Sequence, residues 1–165
     1  MGTMEMLLTA PVNEGTILLA KFLAAWVFYM MTWLPMFLFF VALRAMGADE
    51  FDYRPLLSFF FALSATGAAF VAVGVFFSSI TRNQIIAAVL TFAAMGMFLL
   101  CNWLSSMQSI EGTVWGDLFY YGSFIDLWYT SLQGVLAPRY LVFYVSVAMF
   151  FLFLTDKVLE ARKWS

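Results

Sequence analysis

The chain has 165 residues, of which 64% are hydrophobic, 20% aromatic and only 11% charged, and its net charge is −2 at pH 7. Soluble domains carry about 45–50% apolar and about 25% charged residues, so this composition excludes a soluble fold, and the slight negative charge predicts no binding to nucleic acid. The chain lacks His, the commonest general base, and its single cysteine, Cys101, cannot form an intrachain disulfide.

Residues 2–12 precede the first long apolar stretch and predict a short helix. Pro11 ends that helix because its ring removes a backbone donor, and Asn13 offers a side-chain cap for a second helix that runs into the apolar stretch. The segment lacks the basic region, short apolar run and cleavage site of a signal peptide. One face of the first helix is apolar and consists of Met4, Leu7 and Leu8, with Glu5 beside them.

Four stretches meet or approach the roughly 20 apolar residues that a spanning helix needs. They are span A (residues 16–43), span B (57–80), span C (85–103) and span D (140–155). Pro35 lies inside span A and predicts a kink, with a gating hinge as the alternative interpretation. We therefore expect an all-α polytopic membrane protein that forms one domain over residues 1–165.

Span B carries small residues at steps of about four. Such a stripe lets the backbones of two helices approach closely in lipid. It predicts either packing between helices of one chain or a dimer interface. The members of the stripe are Ser64, Gly67, Ala68, Ala72 and Gly74.

Residues 104–139 form a mixed segment between spans C and D. Within it apolar residues recur at helical spacing, whereas Asp126, Thr130 and Gln133 face elsewhere. This pattern predicts an amphipathic helix in the outer interface, which either anchors the chain or forms a lid at the mouth of a pathway. The apolar positions are Phe124, Leu127, Trp128, Leu132 and Val135.

The placement of Lys and Arg predicts the orientation. The excess lies on the side that holds both termini and the "SSITRNQ" turn, and we expect that side to be cytoplasmic and the chain to be a multi-pass protein of the plasma membrane. Lys21, near the inner end of span A, can extend its ammonium group to the lipid headgroups. The inner cations are Lys21, Arg82, Lys157, Arg162 and Lys163, and the outer ones are Arg44, Arg54 and Arg139.

The spans also bear on how transport could be powered. Spans B, C and D contain no Asp, Glu, Lys or Arg, which disfavours an ion-coupled carrier because such carriers usually need an intramembrane charged group. The phosphate-binding pattern G-x-x-x-x-G-K-[ST] is absent as well. Energy for uphill movement would therefore have to come from another subunit.

Three stretches carry a family resemblance. They are "GTMEMLLTAPVNEGTILLAKFLAA" at residues 2–25, "AVGVFFSSITRNQIIAAVLTFA" at 72–93 and "GSFIDLWYTSLQGVLAPRYLVFYVSVAMFFLFLTDKVLEARKW" at 122–164. Together they resemble the ABC-2 type transporter permeases, in particular the gliding-motility and nitrous-oxide-reductase-maturation branch. The resemblance implies a non-catalytic permease subunit of a bacterial or archaeal exporter, which pairs with a second permease chain.

The same resemblance implies a role for the opening segment. Residues 2–12 would be a cytoplasmic coupling segment that docks on a separate ATP-binding subunit, and ATP and Mg would bind to that subunit. Family members have six spans, so spans A to D would be the third to the sixth, and we expect the first two to be missing. The alternative is a four-span scaffold or assembly factor that transports nothing. The contact residues implied are Met4, Glu5, Leu7, Leu8, Thr9 and Pro11, with Asn13 as the helix cap.

Overall fold

The computed structural model describes residues 14–47, 52–105 and 122–163. In these residues all regular secondary structure is helical and there is no β-strand, which confirms the predicted all-helical class. Three stretches are long and apolar enough to cross a membrane: 15–45, 53–80 and 138–161. The helices are α1 (Glu14–Thr32), α2 (Leu34–Ala45), α3 (Tyr53–Ile80), α4 (Gln84–Ser105), α5 (Phe124–Leu132) and α6 (Pro138–Lys163).

Span A is divided into α1 and α2 by a break at Trp33. Pro35 is the second residue of α2 and has no N–H to donate to the preceding turn. The backbone around the break is held by shorter-range bonds, from Trp33 N to the Met30 carbonyl at 3.2 Å and from Met36 N to the Trp33 carbonyl at 3.1 Å. The predicted kink is therefore confirmed as an interruption one to two residues before the proline.

The helices extend beyond the apolar spans where polar residues support their ends. α3 begins at Tyr53, four residues before span B, because the Asp52 carboxylate accepts a hydrogen bond from the Arg54 N–H at 3.0 Å. α6 continues to Lys163, eight residues past span D, and Lys157 and Glu160 pair at 2.6 Å on its last turns. Helix bounds thus follow capping and ion pairs, whereas the predicted spans followed apolarity alone.

The core lies between α3 and α6. Alanines on one face of α3 let α6 approach closely, and the rings of Tyr140 and Tyr144 fill the space between the two helices. Leu127 of α5 is fully buried against the same core. α3 is consequently the central helix, with α1, α4, α5 and α6 around it. The α3 alanines are Ala62, Ala65, Ala69 and Ala72.

The face that α5 buries differs in part from the predicted one. Leu127 and Ser131 are buried, with Phe124 and Trp128 packed beside them, but Leu132 is 53% exposed. Val135 lies past the helix end, after Gly134, whose φ of +79° is a conformation that glycine adopts readily. The first turn of the buried face therefore agrees with the prediction, whereas in the next turn Ser131 is buried in place of the predicted Leu132.

The cations of the described helices lie at two ends of the bundle. The Arg44 guanidinium lies 4.7 Å from the centre of the Tyr53 ring, and Gly134 approaches Arg54. We call this the arginine end, which Arg139 joins at the start of α6, and we call the opposite end, with Lys21, Arg82 and Lys157, the lysine end. The two predicted groups of cations are thus separated by the length of the helices.

Candidate functional site

A partly open cavity of about 940 Å³ lies between one face of α1 and the rest of the bundle. Its walls come from α1, α3, α4 and α6, and Trp128 of α5 reaches it near the arginine end. A volume of this size is at the upper end of the range for small-molecule sites. The cavity is therefore the best candidate for a functional site in the described residues.

One face of α1 lines the cavity for nearly its whole length. Lys21, Ala25 and Tyr29 follow at steps of four, which places their side chains above one another on one face of the helix. Ile17 and Leu18 extend this face toward the lysine end, and Trp33 extends it to the break. The opposite face of α1 is apolar and exposed, as Leu23 at 51% and Val27 at 44% show.

Aromatic side chains close the cavity toward the arginine end. The ring of Trp33 packs edge-on against Trp128 and Tyr29, with centroids 6.2 and 6.3 Å away. Trp128 Nε1 donates to the Thr66 hydroxyl at 3.3 Å, and this bond ties α5 to the central helix. Such edge-to-face contacts add about 0.5–1.5 kcal/mol each beyond buried area, so this end is well fixed.

The ring of Tyr29 packs against α3 at Gly67, where the lack of a side chain leaves room for it. A Cβ atom built on Gly67 would lie within 2.8 Å of three atoms of the Tyr29 ring, far inside ordinary van der Waals contact. Trp26 adds a second contact between the helices, because its Nε1 donates to the Ser64 carbonyl at 3.1 Å. These two contacts attach the middle of α1 to α3 beside the cavity.

The lysine end of the cavity is polar. Lys21 is the single charged residue among those that line it, and no acidic side chain of the described residues forms an ion pair with it. Ser78 and Ser79 face it from α3, and Thr155 from α6. The cavity thus runs from a cationic, hydroxyl-bearing end to an aromatic end.

Most polar groups within the spans are satisfied locally. The hydroxyls of Thr66, Thr91 and Thr155 donate to carbonyls one turn earlier in their own helices, at 2.7 to 3.1 Å. Ser58 also donates to the Ser131 carbonyl of α5 at 2.6 Å. These hydroxyls are therefore satisfied by their own helix or by a neighbouring one, as is usual for polar groups in lipid.

The residues singled out from the sequence fall into two sets. The predicted coupling residues Met4, Glu5, Leu7, Leu8, Thr9 and Pro11, and the predicted cap Asn13, lie outside the described residues, although α1 begins directly after Asn13. The small-residue stripe of span B is described in full and contacts helices of the same chain. Gly67 meets Tyr29, the Ser64 carbonyl meets Trp26, Gly74 lies near Thr91, Ala72 belongs to the core and Ala68 packs against it.

Sequence reasoning did not identify the cavity. The signal was the spacing of Lys21, Ala25, Tyr29 and Trp33, which places a cation, a small residue and two aromatics on one face of a helix. Lys21 was predicted only to reach the headgroups. Its position at the end of a cavity depends on how α1 leans against α3, and a single-helix pattern does not contain that information.

Comparison with known proteins gives one finding about the family. The model of the family described as "ABC-2 family transporter protein" matches residues 1–110, which is two thirds of the chain. The match includes the opening segment, α1 to α3 and α4. No curated protein and no solved structure matches the chain.

Proposed function

The chain belongs to the ABC-2 family of transporter proteins, and from this membership we propose that it is the membrane-spanning permease subunit of an exporter driven by a separate ATPase. The family match over residues 1–110 is the observation that carries the proposal. In this proposal the chain is not catalytic, and ATP and Mg bind to the partner subunit. A second permease chain, identical or different, completes the transporter.

The proposed topology has four spans in a bacterial or archaeal plasma membrane. We assign the fourth to α4, whose 22 residues extend about 33 Å at 1.5 Å per residue and so exceed a bilayer core of about 30 Å, although its apolar part covers only residues 84–100. The lysine end faces the cytoplasm by the excess of inner cations, and α5 lies at the outer interface. The place in the gliding-motility and nitrous-oxide-reductase-maturation branch is a proposal that follows from the sequence resemblance.

The packing suggests how a push from an ATPase would act. α1 follows residues 2–12, and within the described bundle it borders the cavity along one face while α3 and α6 share the tight core. A displacement of the coupling segment would therefore tilt α1 against α3 more easily than it would separate α3 from α6. If α1 tilts between two positions, a nucleotide-driven partner can shift the balance between them.

Substitution of the proposed coupling residues tests the function. We expect Leu7→Asp to abolish co-purification of an ATP-binding subunit with the tagged chain while membrane insertion persists, because a carboxylate cannot enter an apolar groove without a large desolvation cost. Met6→Asp is the matched control, since helical spacing places Met6 on the opposite face from Met4, Leu7 and Leu8.

The outcomes separate the proposal from its rival. Loss of the ATPase with Leu7→Asp and its retention with Met6→Asp would support the permease assignment. Unchanged co-purification with Leu7→Asp would refute the coupling residues. If the unsubstituted chain, extracted from its own membrane, brings no ATP-binding subunit at all, the scaffold or assembly-factor interpretation replaces the transporter.

A further inference from the structure

We propose that the cavity beside α1 binds an anionic membrane lipid, with the headgroup at Lys21 and Ser78 and an acyl chain along the apolar wall toward Trp33. This binding concerns the cavity itself and does not depend on whether the chain transports anything. Four observations carry it, namely the charge of the cavity, its free hydroxyl group, its apolar wall and its length.

The charge favours an anion at the lysine end. Among the residues whose side chains the structure describes, none with a carboxylate pairs with Lys21, whereas Lys157, the other lysine of this end, is paired with Glu160 at 2.6 Å. An ammonium group with no acidic partner at the mouth of the cavity attracts an anionic group, and the attraction weakens as salt is added because Lys21 is exposed. A phosphate oxygen at Lys21 would therefore form a charge-assisted hydrogen bond.

A hydroxyl group of the same end can add a second donor. Ser79 already donates to the Phe76 carbonyl at 2.7 Å, and Thr155 donates to the Phe151 carbonyl at 2.7 Å. Ser78, in contrast, forms no hydrogen bond with any residue that the structure describes. Its hydroxyl is free to donate to an anionic headgroup held at Lys21.

The remaining wall suits an acyl chain. Beyond Lys21 the wall includes the apolar side chains of Ala25, Phe70, Val71 and Met95. Of the polar side chains beside them, the Thr91 hydroxyl already donates to the Ala87 carbonyl at 2.8 Å, and Tyr29, Trp33 and Trp128 form the aromatic end. From Lys21 to Trp33 the chain advances twelve residues, about 18 Å at 1.5 Å per residue. One leaflet of the hydrocarbon core is about 15 Å thick, half of about 30 Å. A lipid of the leaflet at the lysine end therefore fits the cavity in length.

Lipid retention by the purified protein tests this. The full chain, with any subunits that accompany it, is exchanged into micelles that contain equal amounts of phosphatidylglycerol and phosphatidylcholine with identical acyl chains, and bound lipid is counted by native mass spectrometry. We expect a preference for phosphatidylglycerol in the unsubstituted protein and a loss of that preference of about tenfold in Lys21→Gln. Lys21→Arg should keep the preference.

Controls separate this site from general attraction and from a free-anion site. Lys157→Gln removes a cation of the same end that does not line the cavity and should leave the preference unchanged. Ala25→Phe narrows the apolar wall and should reduce retention of both lipids. Glycerol phosphate in excess should not displace the lipid, because it has no acyl chain.

Five results would overturn the proposal. Four of them are equal retention of the two lipids by the unsubstituted protein, an unchanged preference in Lys21→Gln, an equal loss in Lys157→Gln, and displacement of the lipid by glycerol phosphate. Retention that Ala25→Phe leaves intact would place the lipid elsewhere on the bundle and would overturn it as well.

Discussion

Gly67 provides a test of how α1 is attached to the central helix. In an unconstrained helix, Gly→Ala stabilises by up to about 1 kcal/mol, because alanine has the higher helix propensity. At Gly67 the new Cβ would lie within 2.8 Å of three atoms of the Tyr29 ring, whereas carbon atoms prefer about 3.5–4.0 Å. The ring must move by roughly 1.5 Å to reach ordinary contact with the new methyl group, and overpacking of this kind costs about 1–3 kcal/mol.

A matched control is available in the same chain. Gly96 is a helical glycine of α4, and a Cβ atom built on it would have no neighbour within 4 Å. We therefore expect Gly96→Ala to be neutral or stabilising and Gly67→Ala to be less stable than Gly96→Ala by about 1–3 kcal/mol. The measurement is the SDS concentration at which half of the protein becomes susceptible to a short pulse of protease.

A second substitution identifies the cause. Tyr29→Ala removes the ring that the new methyl group would strike, so in that background Gly67→Ala should no longer be less stable than Gly96→Ala. The reasoning is refuted if the two alanine variants have the same midpoint in the unsubstituted protein. It is equally refuted if their difference persists without the Tyr29 ring, since the strain would then arise elsewhere.

Two further substitutions test contacts of α5 in the same assay. Trp128→Phe keeps an aromatic ring but loses the bond to the Thr66 hydroxyl, and we expect its free energy of unfolding to fall by about 1–2 kcal/mol. Tyr129→Phe is the control and should cause no change, because the Tyr129 side chain is 66% exposed. Equal midpoints for the two variants would contradict this role of Trp128. Ser58→Ala removes the bond to the Ser131 carbonyl and should cost about 1 kcal/mol, whereas Ser146→Ala, which removes a bond within one exposed helix turn, should cost less.

The helices themselves were predictable from the sequence because their signals are local. Apolar length locates the spans, and Pro35 locates the break, because both depend on the backbone and the bilayer alone. The buried face of α5 was only partly predictable. At Ser131 the backbone carbonyl accepts a hydrogen bond from Ser58, 73 residues away in the chain, and a pattern within α5 does not contain such a contact.

The cavity could not be predicted for the same reason. Lys21 is an ordinary interfacial lysine in the sequence, and its role changes only when Ser78, Thr155 and the apolar wall of α3 are placed opposite it. A pattern along one helix identifies which residues share a face, but the partners of that face, such as Gly67, Ser78 and Thr155, come from distant parts of the chain.

The distribution of small residues explains why the cavity lies where it does. On α3, alanines face α6 and permit close contact, and Gly67 admits the Tyr29 ring of α1 at one point. Toward the lysine end, however, the α3 residues that face α1 are Val71, Val75 and Ser78, and α1 presents Ala25 and the long, exposed Lys21. These side chains leave a gap between the contact of Tyr29 with Gly67 and the lysine end, where Leu18 of α1 is buried again. Whatever occupies that gap must complete the packing of α1, and a bound lipid would therefore influence how readily α1 tilts when its N-terminal end is displaced.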